Sequence, residues 1–280
     1  MRGALFALTL TSALTVPLAA AAADRILSIG GSVTEILYAL GGADKLVARD
    51  TTSSFPPEAE ALPDVGYMRA LAPEGVLSVN PDLIVAEAGA GPVETLEVLK
   101  EAKIAFVEVP DAFTPDGILA KIRAVGAAVE IDPEPLVSEV KAGLDTVAAK
   151  VATVPEADRK KVLFILSTRG GRIMASGRGT AADGIIEMAG GVNALAEFDG
   201  YKLMTDEAVS QAAPDVILMM DRGGDHGAPD AELLAMPALV TTPAAEAGAV
   251  VRMNGLYLLG FGPRTADAAL ELAQSLYGPL

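Results

Sequence analysis

The chain has no cysteine, no tryptophan and a single histidine, His226. The missing cysteine excludes disulfides, thiolate metal sites, a cysteine nucleophile and a thiol-borne lipid anchor. With one histidine there are few ways to build a nucleophile–base pair or a metal cluster. Gly30-Gly31-Ser32 and Gly177-Arg178-Gly179 do not complete a dinucleotide or phosphate-loop pattern. An α/β enzyme is therefore the remote reading. Basic residues are also scarce, 21 against 37 acidic, which speaks against nucleic acid as a partner. Long apolar runs are confined to one place. Arg2 is followed by an uncharged stretch from Gly3 to Leu18 and then by the small residues Ala19 to Ala23. This is the pattern of a signal peptide over residues 1–23, cleaved before Asp24, with an apolar core too short for a membrane span. The leader holds one of the 21 basic residues, leaving 20 against 37 acidic ones, a formal charge of −17. The reading is an exported protein without a lipid anchor.

The rest of the chain alternates short apolar runs with longer amphipathic stretches, the pattern of parallel sheets covered by helices. Strands are expected at Arg25–Ile29, Leu83–Ala86, Ala105–Val109, Val162–Leu166, Val216–Met220 and Val250–Met253. Helices are expected at Ser32–Leu40, Val93–Lys100, Pro115–Glu130 and Ala181–Ala189. Gly41-Gly42 and Gly190-Gly191 follow two of these helices, where glycine ends a helix in the left-handed conformation. From Asp116 to Val154 the pattern is almost continuously helical, interrupted near Asp132-Pro133-Glu134-Pro135. The resulting division is an N-terminal lobe (24–115), a helical connector (116–154) and a C-terminal lobe (155–280).

The two lobes echo each other. Glu74-Gly-Val-Leu-Ser-Val-Asn-Pro81-Asp-Leu-Ile-Val matches Glu207-Ala-Val-Ser-Gln-Ala-Ala-Pro214-Asp-Val-Ile-Leu without a gap. Ile36-Leu37 with Gly41-Gly42 pairs in the same order with Ile185-Ile186 and Gly190-Gly191. The fold class is thus α/β, two Rossmann-like lobes with central, mostly parallel sheets joined by a long rigid helix, with a ligand cleft between them.

At this level the mature chain resembles the periplasmic binding proteins with a rigid helical linker that serve haem, corrinoid and ferric-siderophore ABC importers. Leu62-Pro-Asp-Val-Gly-Tyr67-Met-Arg69-Ala-Leu-Ala-Pro-Glu74-Gly-Val-Leu-Ser, followed by Glu87-Ala-Gly-Ala-Gly-Pro92, is similar to the haem-binding branch. The resemblance implies that Tyr67 is the axial ligand of ferric haem iron, a hard anionic oxygen on a hard cation. A free tyrosine has a pKa near 10, so a neighbouring cation helps, and Arg69 is placed to supply it. The resemblance also implies a propionate-binding arginine in the second lobe. Arg222, in Asp221-Arg222-Gly223-Gly224-Asp225-His226, takes that role, with an ordinary solvated arginine as the alternative, and Arg169, Arg172 and Arg178 either face the propionates or are solvated. The segment Leu166 to Arg178, where some relatives carry a histidine for a second haem, contains none. His226 reads as a surface residue and Met174 as core. Glu74 and Glu207 occupy equivalent places and are implied to dock on a two-fold permease, with exposed glutamates at helix starts as the alternative. The implied partners are haem, the ABC permease dimer and an outer-membrane haem receptor upstream; the location is the periplasm and the state a monomer. Ferric siderophore or corrinoid remains the alternative cargo. A chain with five tyrosines, seven phenylalanines and no tryptophan is poorly supplied with the aromatic walls those pockets use.

Overall fold

The computed structural model describes residues 23–221 and 229–280. The signal-peptide reading, apart from Ala23, and the readings on Arg222 and His226 lie outside the described residues.

The first lobe runs β1 (Ile26–Ile29), α1 (Gly31–Ala39), β2 (Leu46–Arg49), α2 (Pro73–Ser78), β3 (Leu83–Glu87), α3 (Val93–Glu101) and β4 (Ala105–Val109). Its strands pair in parallel in the order β2-β1-β3-β4. The two inner strands are apolar on both faces: Ile26, Leu27, Ile29, Ile84, Val85 and Ala86 are fully buried. A parallel sheet covered by helices demands such continuous apolar runs, and this is why these strands stand out in the sequence.

Two helices follow, α4 (Pro115–Ala128) and α5 (Glu134–Val151). Thr114 caps α4 by accepting the Gly117 N–H, and Pro115 fits the first helical position, where no N–H is needed. The break between the helices falls at 129–133, beside Asp132-Pro133 as the pattern indicates. The chain reverses tightly there: a Cβ on Gly126 would lie 2.8 Å from the Ile131 carbonyl oxygen and from Pro133 Cβ. In α5 the buried residues Val137, Val140, Leu144, Val147 and Val151 recur at three and four, forming one stripe that packs against α4 and the last helix of the chain.

The second lobe runs β5 (Lys161–Ser167), β6 (Met174–Ser176), α6 (Ala181–Met188), β7 (Val192–Asn193), β8 (Tyr201–Leu203), α7 (Asp206–Ala212), β9 (Val216–Asp221), α8 (Asp230–Leu234), α9 (Pro243–Ala247), β10 (Val250–Asn254), α10 (Gly255–Leu259) and α11 (Thr265–Tyr277). The sheet order is β10-β9-β5-β6-β8, with β7 beside β5. β10, β9, β5 and β7 are parallel, and β6 is antiparallel to both of its neighbours. Gly41 and Gly190 take φ of 78° and 77° after α1 and α6, the left-handed ends expected there.

The carboxyl ends of the two sheets meet. Gly31, just past β1, stands so close to Leu256, just past β10, that a Cβ would lie 2.5 Å from Leu256 Cδ1. One apolar cluster runs through both lobes and the connector, from Ile26 and Val85 through Ile122 and Leu144 to Phe164, Leu218 and Leu272.

Candidate functional site

The loop carrying Tyr67 leaves the carboxyl end of β2, where ligand sites form in open α/β sheets. Its root is the fully buried Asp50, whose carboxylate accepts from the Gly30 and Thr52 N–H groups and from the Ser53 hydroxyl. Asp64 then accepts from the Thr51 hydroxyl and the Gly66 N–H. Gly66 has φ of 104°, a conformation that side chains resist. Beyond it Met68 and Leu71 are buried, at 4% and 3% exposure, while Tyr67 is 44% exposed. Main-chain bonds from Gly91 N–H to the Met68 carbonyl and from Leu71 N–H to the Gly91 carbonyl tie the turn to the loop after β3. Two apolar anchors and four backbone groups thus hold a short turn whose tyrosine points outward.

Arg69 Nη1 donates to the Tyr67 phenolic oxygen at 2.8 Å, and the Arg69 guanidinium carbon lies 6.0 Å from the ring centroid. The sequence pair is therefore a structural pair: an exposed oxygen donor with a cation at its tip.

One exposed aromatic is not revealed by the motifs. Tyr201 opens the edge strand β8 and is 39% exposed. Its ring meets Phe164 edge to face, centroids 6.4 Å apart. Burial holds its pKa above the ordinary tyrosine value, against the opposing influence of the Thr180 side chain, the Arg69 charge and the Ala182 backbone. A lone Tyr in a three-residue strand after Gly200 was the available signal, too short to read.

The remaining predicted residues scatter. Arg169 lies exposed on the turn after β5 beside Gly170 and Gly171, both with positive φ. Arg172 is exposed on the same connection to β6. Arg178 is paired with Asp199 at 3.3 Å, both mostly exposed. Met174 begins β6 and is half-buried.

Glu74 and Glu207 are exposed residues in the first turns of α2 and α7. The duplication around them is physical. Val76 and Val209 are both fully buried, and Asn80 and Ala213 share a left-handed φ of 46°. Asp82 and Asp215 each bind the start of their lobe's first strand, accepting from the Arg25 and Lys161 N–H groups respectively.

The lobes are also joined by charge. Arg264, past α10, makes a two-pronged bond to the buried Glu35 of α1, with both distances 2.9 Å. Its guanidinium carbon lies 3.4 Å from the Phe55 ring centroid. Lys121 of α4, fully buried, pairs with Asp111 at 2.7 Å and donates to Ser32 Oγ at 3.0 Å and the Gly260 carbonyl at 3.1 Å. Glu87 is 3.9 Å from the same ammonium. Burial, with the Asp111 charge adding to it, pushes Glu87 up to about 7. A lysine on the apolar face formed by Ile118, Leu119, Ile122 and Val125 is the sequence signal for this cluster.

Among the described residues no group of three His, Cys, Asp or Glu is placed to hold a metal ion, and no helix is long and apolar enough to cross a membrane.

The chain is similar to known proteins along most of its length. A solved structure described as periplasmic heme-binding protein BhuT in complex with two hemes is 39% identical, with a TM-score of 0.86 over 90% of this chain and 97% of that one. Apo periplasmic heme-binding protein RhuT from Roseiflexus sp. RS-1 is 35% identical, also with a TM-score of 0.86, over 91% and 98%. Among sequence relatives, the uncharacterized ABC transporter substrate-binding lipoprotein YvrC of Bacillus subtilis (strain 168) is 29% identical over 90% of this chain and 80% of its own. A vitamin B12-binding protein of Pectobacterium atrosepticum is 26% identical over 95% and 93%. Residues 26–255 match the family model described as periplasmic binding protein. This is a family of substrate-binding proteins, not enzymes, and the chain belongs to it.

Proposed function

We propose that the protein captures ferric haem in the periplasm and delivers it to an ABC permease. The observation that carries this reading is the exposed Tyr67 with Arg69 bonded to its oxygen. A phenolate is a strong ligand for ferric iron, and a guanidinium at its tip offsets the charge that the lost proton leaves behind. The cargo needs no metal cluster from the protein because it brings its own iron. Arginines of the second lobe, with Arg222 and Arg169 foremost and Arg178 after release from Asp199, meet the propionates. The haem-binding neighbours BhuT and RhuT support the same cargo.

A second reading, a corrinoid, is favoured by the near full-length vitamin B12-binding relative. Titrating the apo-protein with hemin and with cyanocobalamin separates the two. A saturable Soret change with hemin and no binding of cyanocobalamin supports haem; the reverse overturns it.

A further inference from the structure

A fully buried cation sits where the lobes meet. Lys121 has three neighbours at hydrogen-bond distance for its three N–H groups: Asp111 at 2.7 Å, Ser32 Oγ at 3.0 Å and the Gly260 carbonyl at 3.1 Å. Ser32 and Asp111 belong to the first lobe and Gly260 to the second. Glu87 stands farther off, 3.9 Å from the ammonium, and accepts from the Ser32 hydroxyl instead. The Glu87 and Asp111 side chains are only 12% and 13% exposed. Two sheltered carboxylates thus face one ammonium, and a buried charge without a counter-charge is costly. A proton on Glu87 balances the site, and the spacing fits, since the close pair is Lys121 with Asp111. The other charges nearby have partners of their own: Glu35 of α1 holds Arg264, and Asp50 beyond β2 accepts from Gly30, Thr52 and Ser53. On β4 the register partner of Glu87 is the apolar Val109.

The second-lobe side of this contact is under strain. Phe261, next to Gly260, is 1% exposed and has φ of 50°, a conformation that a residue with a side chain keeps only when its surroundings hold it. Phe113 packs on its ring edge to face, centroids 5.2 Å apart, and Arg264 ties the far end to Glu35. The Lys121 bond to the Gly260 carbonyl holds the near end.

We propose that Glu87 is a proton-operated latch on the lobe junction: neutral, it leaves a Lys121 donor on the Gly260 carbonyl; ionised, it takes that donor and loosens the segment 260–264. Lys121 has no fourth N–H to offer. Of its three partners, Asp111 is charged and Ser32 already bonds to Glu87, so the neutral Gly260 carbonyl is the one given up. Glu87 itself is walled in on the β1 side, where a Cβ on Gly30 would lie 2.6 Å from its Cβ, and the long lysine stem is the part that adjusts. Glu87 also begins the loop whose Gly91 is bonded to Met68 and Leu71, so the latch and the Tyr67 turn share one root. The latch acts whatever the cargo is.

Gly260-Phe261 is the only Gly-Phe pair in the sequence, so glycine labelled with carbon-13 at its carbonyl, together with nitrogen-15 phenylalanine, gives one peptide resonance that reports the Gly260 carbonyl. The protein is titrated from about pH 5 to about pH 9 by nuclear magnetic resonance, with thermal melts to verify folding of each variant. The wild-type carbonyl carbon is expected to move upfield, as it does on losing a hydrogen bond, with a midpoint at about 7. Glu87→Gln, neutral throughout, is expected to keep the low-pH position at every pH. Asp111→Asn, which removes the competing carboxylate, is expected to lower the midpoint by about one unit or more. A wild-type carbonyl that does not titrate, or that moves downfield, overturns the latch, and so does a titration that survives in Glu87→Gln. If Glu87→Gln does not fold, an unshifted midpoint in Asp111→Asn overturns the latch by itself.

Discussion

Arg69 bonds to Tyr67 from two positions along the chain, Nη1 to phenolic oxygen at 2.8 Å. Both side chains are exposed, so the bond persists by local design: buried Met68 between them turns the other way, at 4% exposure. On the proposed haem reading the pair is a ligand and the group that orients it. Partners that orient a metal ligand typically contribute ten- to a hundredfold to affinity. Arg69→Ala is accordingly expected to raise the hemin Kd about tenfold, the low end because the site is open to water, and Tyr67→Phe to change the ferric spectrum itself. Absorbance titration of the two variants checks both. A Tyr67→Phe spectrum identical to wild type removes Tyr67 as the ligand.

The duplicated helix starts make a separate prediction. Glu74 and Glu207 stand in the first turns of α2 and α7, each six residues before a left-handed residue of φ 46°. Each carboxylate is thus presented by the same local frame on its lobe, as contact with a two-fold permease requires. Glu74→Lys with Glu207→Lys is expected to reduce transporter ATPase stimulation at least tenfold at unchanged hemin affinity. Reconstituted transporter in proteoliposomes measures it, and undiminished stimulation removes docking from these residues.

The fold was legible where apolar residues run together, by burial on both faces in β1, β3, β5 and β9 and by β-branched and aromatic content in the more exposed β4 and β10. β1, β3, β4, β5, β9 and β10 fall within one or two residues of expectation. β2, β6 and β8 were not legible: they are three or four residues long, and β8 is exposed at all three positions. α11 hides because much of its buried face is alanine, at 266, 268, 269 and 273, which leaves no strong stripe. Within the site, Tyr67 and Arg69 were readable because they lie two positions apart in one short segment, Gly66 to Arg69, that carries the family resemblance. Tyr201 was not, because its packing partner Phe164 lies in another strand. Lys121 shares the difficulty, since its partners Ser32, Asp111 and Gly260 come from three separate segments.

Glu35 and Arg264 fasten the lobes and set a stability prediction. Glu35 is 5% exposed, so removing its partner strands a carboxylate in a poor solvent for charge. For fully buried pairs that loss is about 3–5 kcal/mol. The Arg264 side chain keeps 27% of its exposure, so water takes up part of the deficit and Arg264→Ala is expected to cost about 2–3 kcal/mol. Urea denaturation gives the value. A loss below about 0.5 kcal/mol means that the pair contributes no more than a surface salt bridge.

Glu87 carries a pH dependence whose direction follows from its surroundings. The carboxyl lies at the end of β3 and faces Ser32 of α1, Asp111 beyond β4 and the Lys121 ammonium of α4. Burial is the largest influence and raises its pKa; the Asp111 charge adds to this, Lys121 and the Ser32 hydroxyl oppose it, and the outcome is about 7 against an ordinary 4.5. The folded protein therefore binds this proton more tightly than the unfolded chain. Between pH 4.5 and 7 the folded state holds more protons, so the contribution of Glu87 to stability is fully present below pH 4.5 and is lost as pH rises through 7. Physically, with the proton on Glu87 the Asp111 and Lys121 charges balance and the buried cluster is neutral; its loss leaves a net negative charge there. Glu87→Gln keeps a neutral group of the same size. The variant is expected to match wild type near pH 5 and to exceed its melting temperature by several degrees near pH 8. Melting curves of both proteins across that range decide it, and parallel curves with no pH-dependent difference show that Glu87 does not hold the proton.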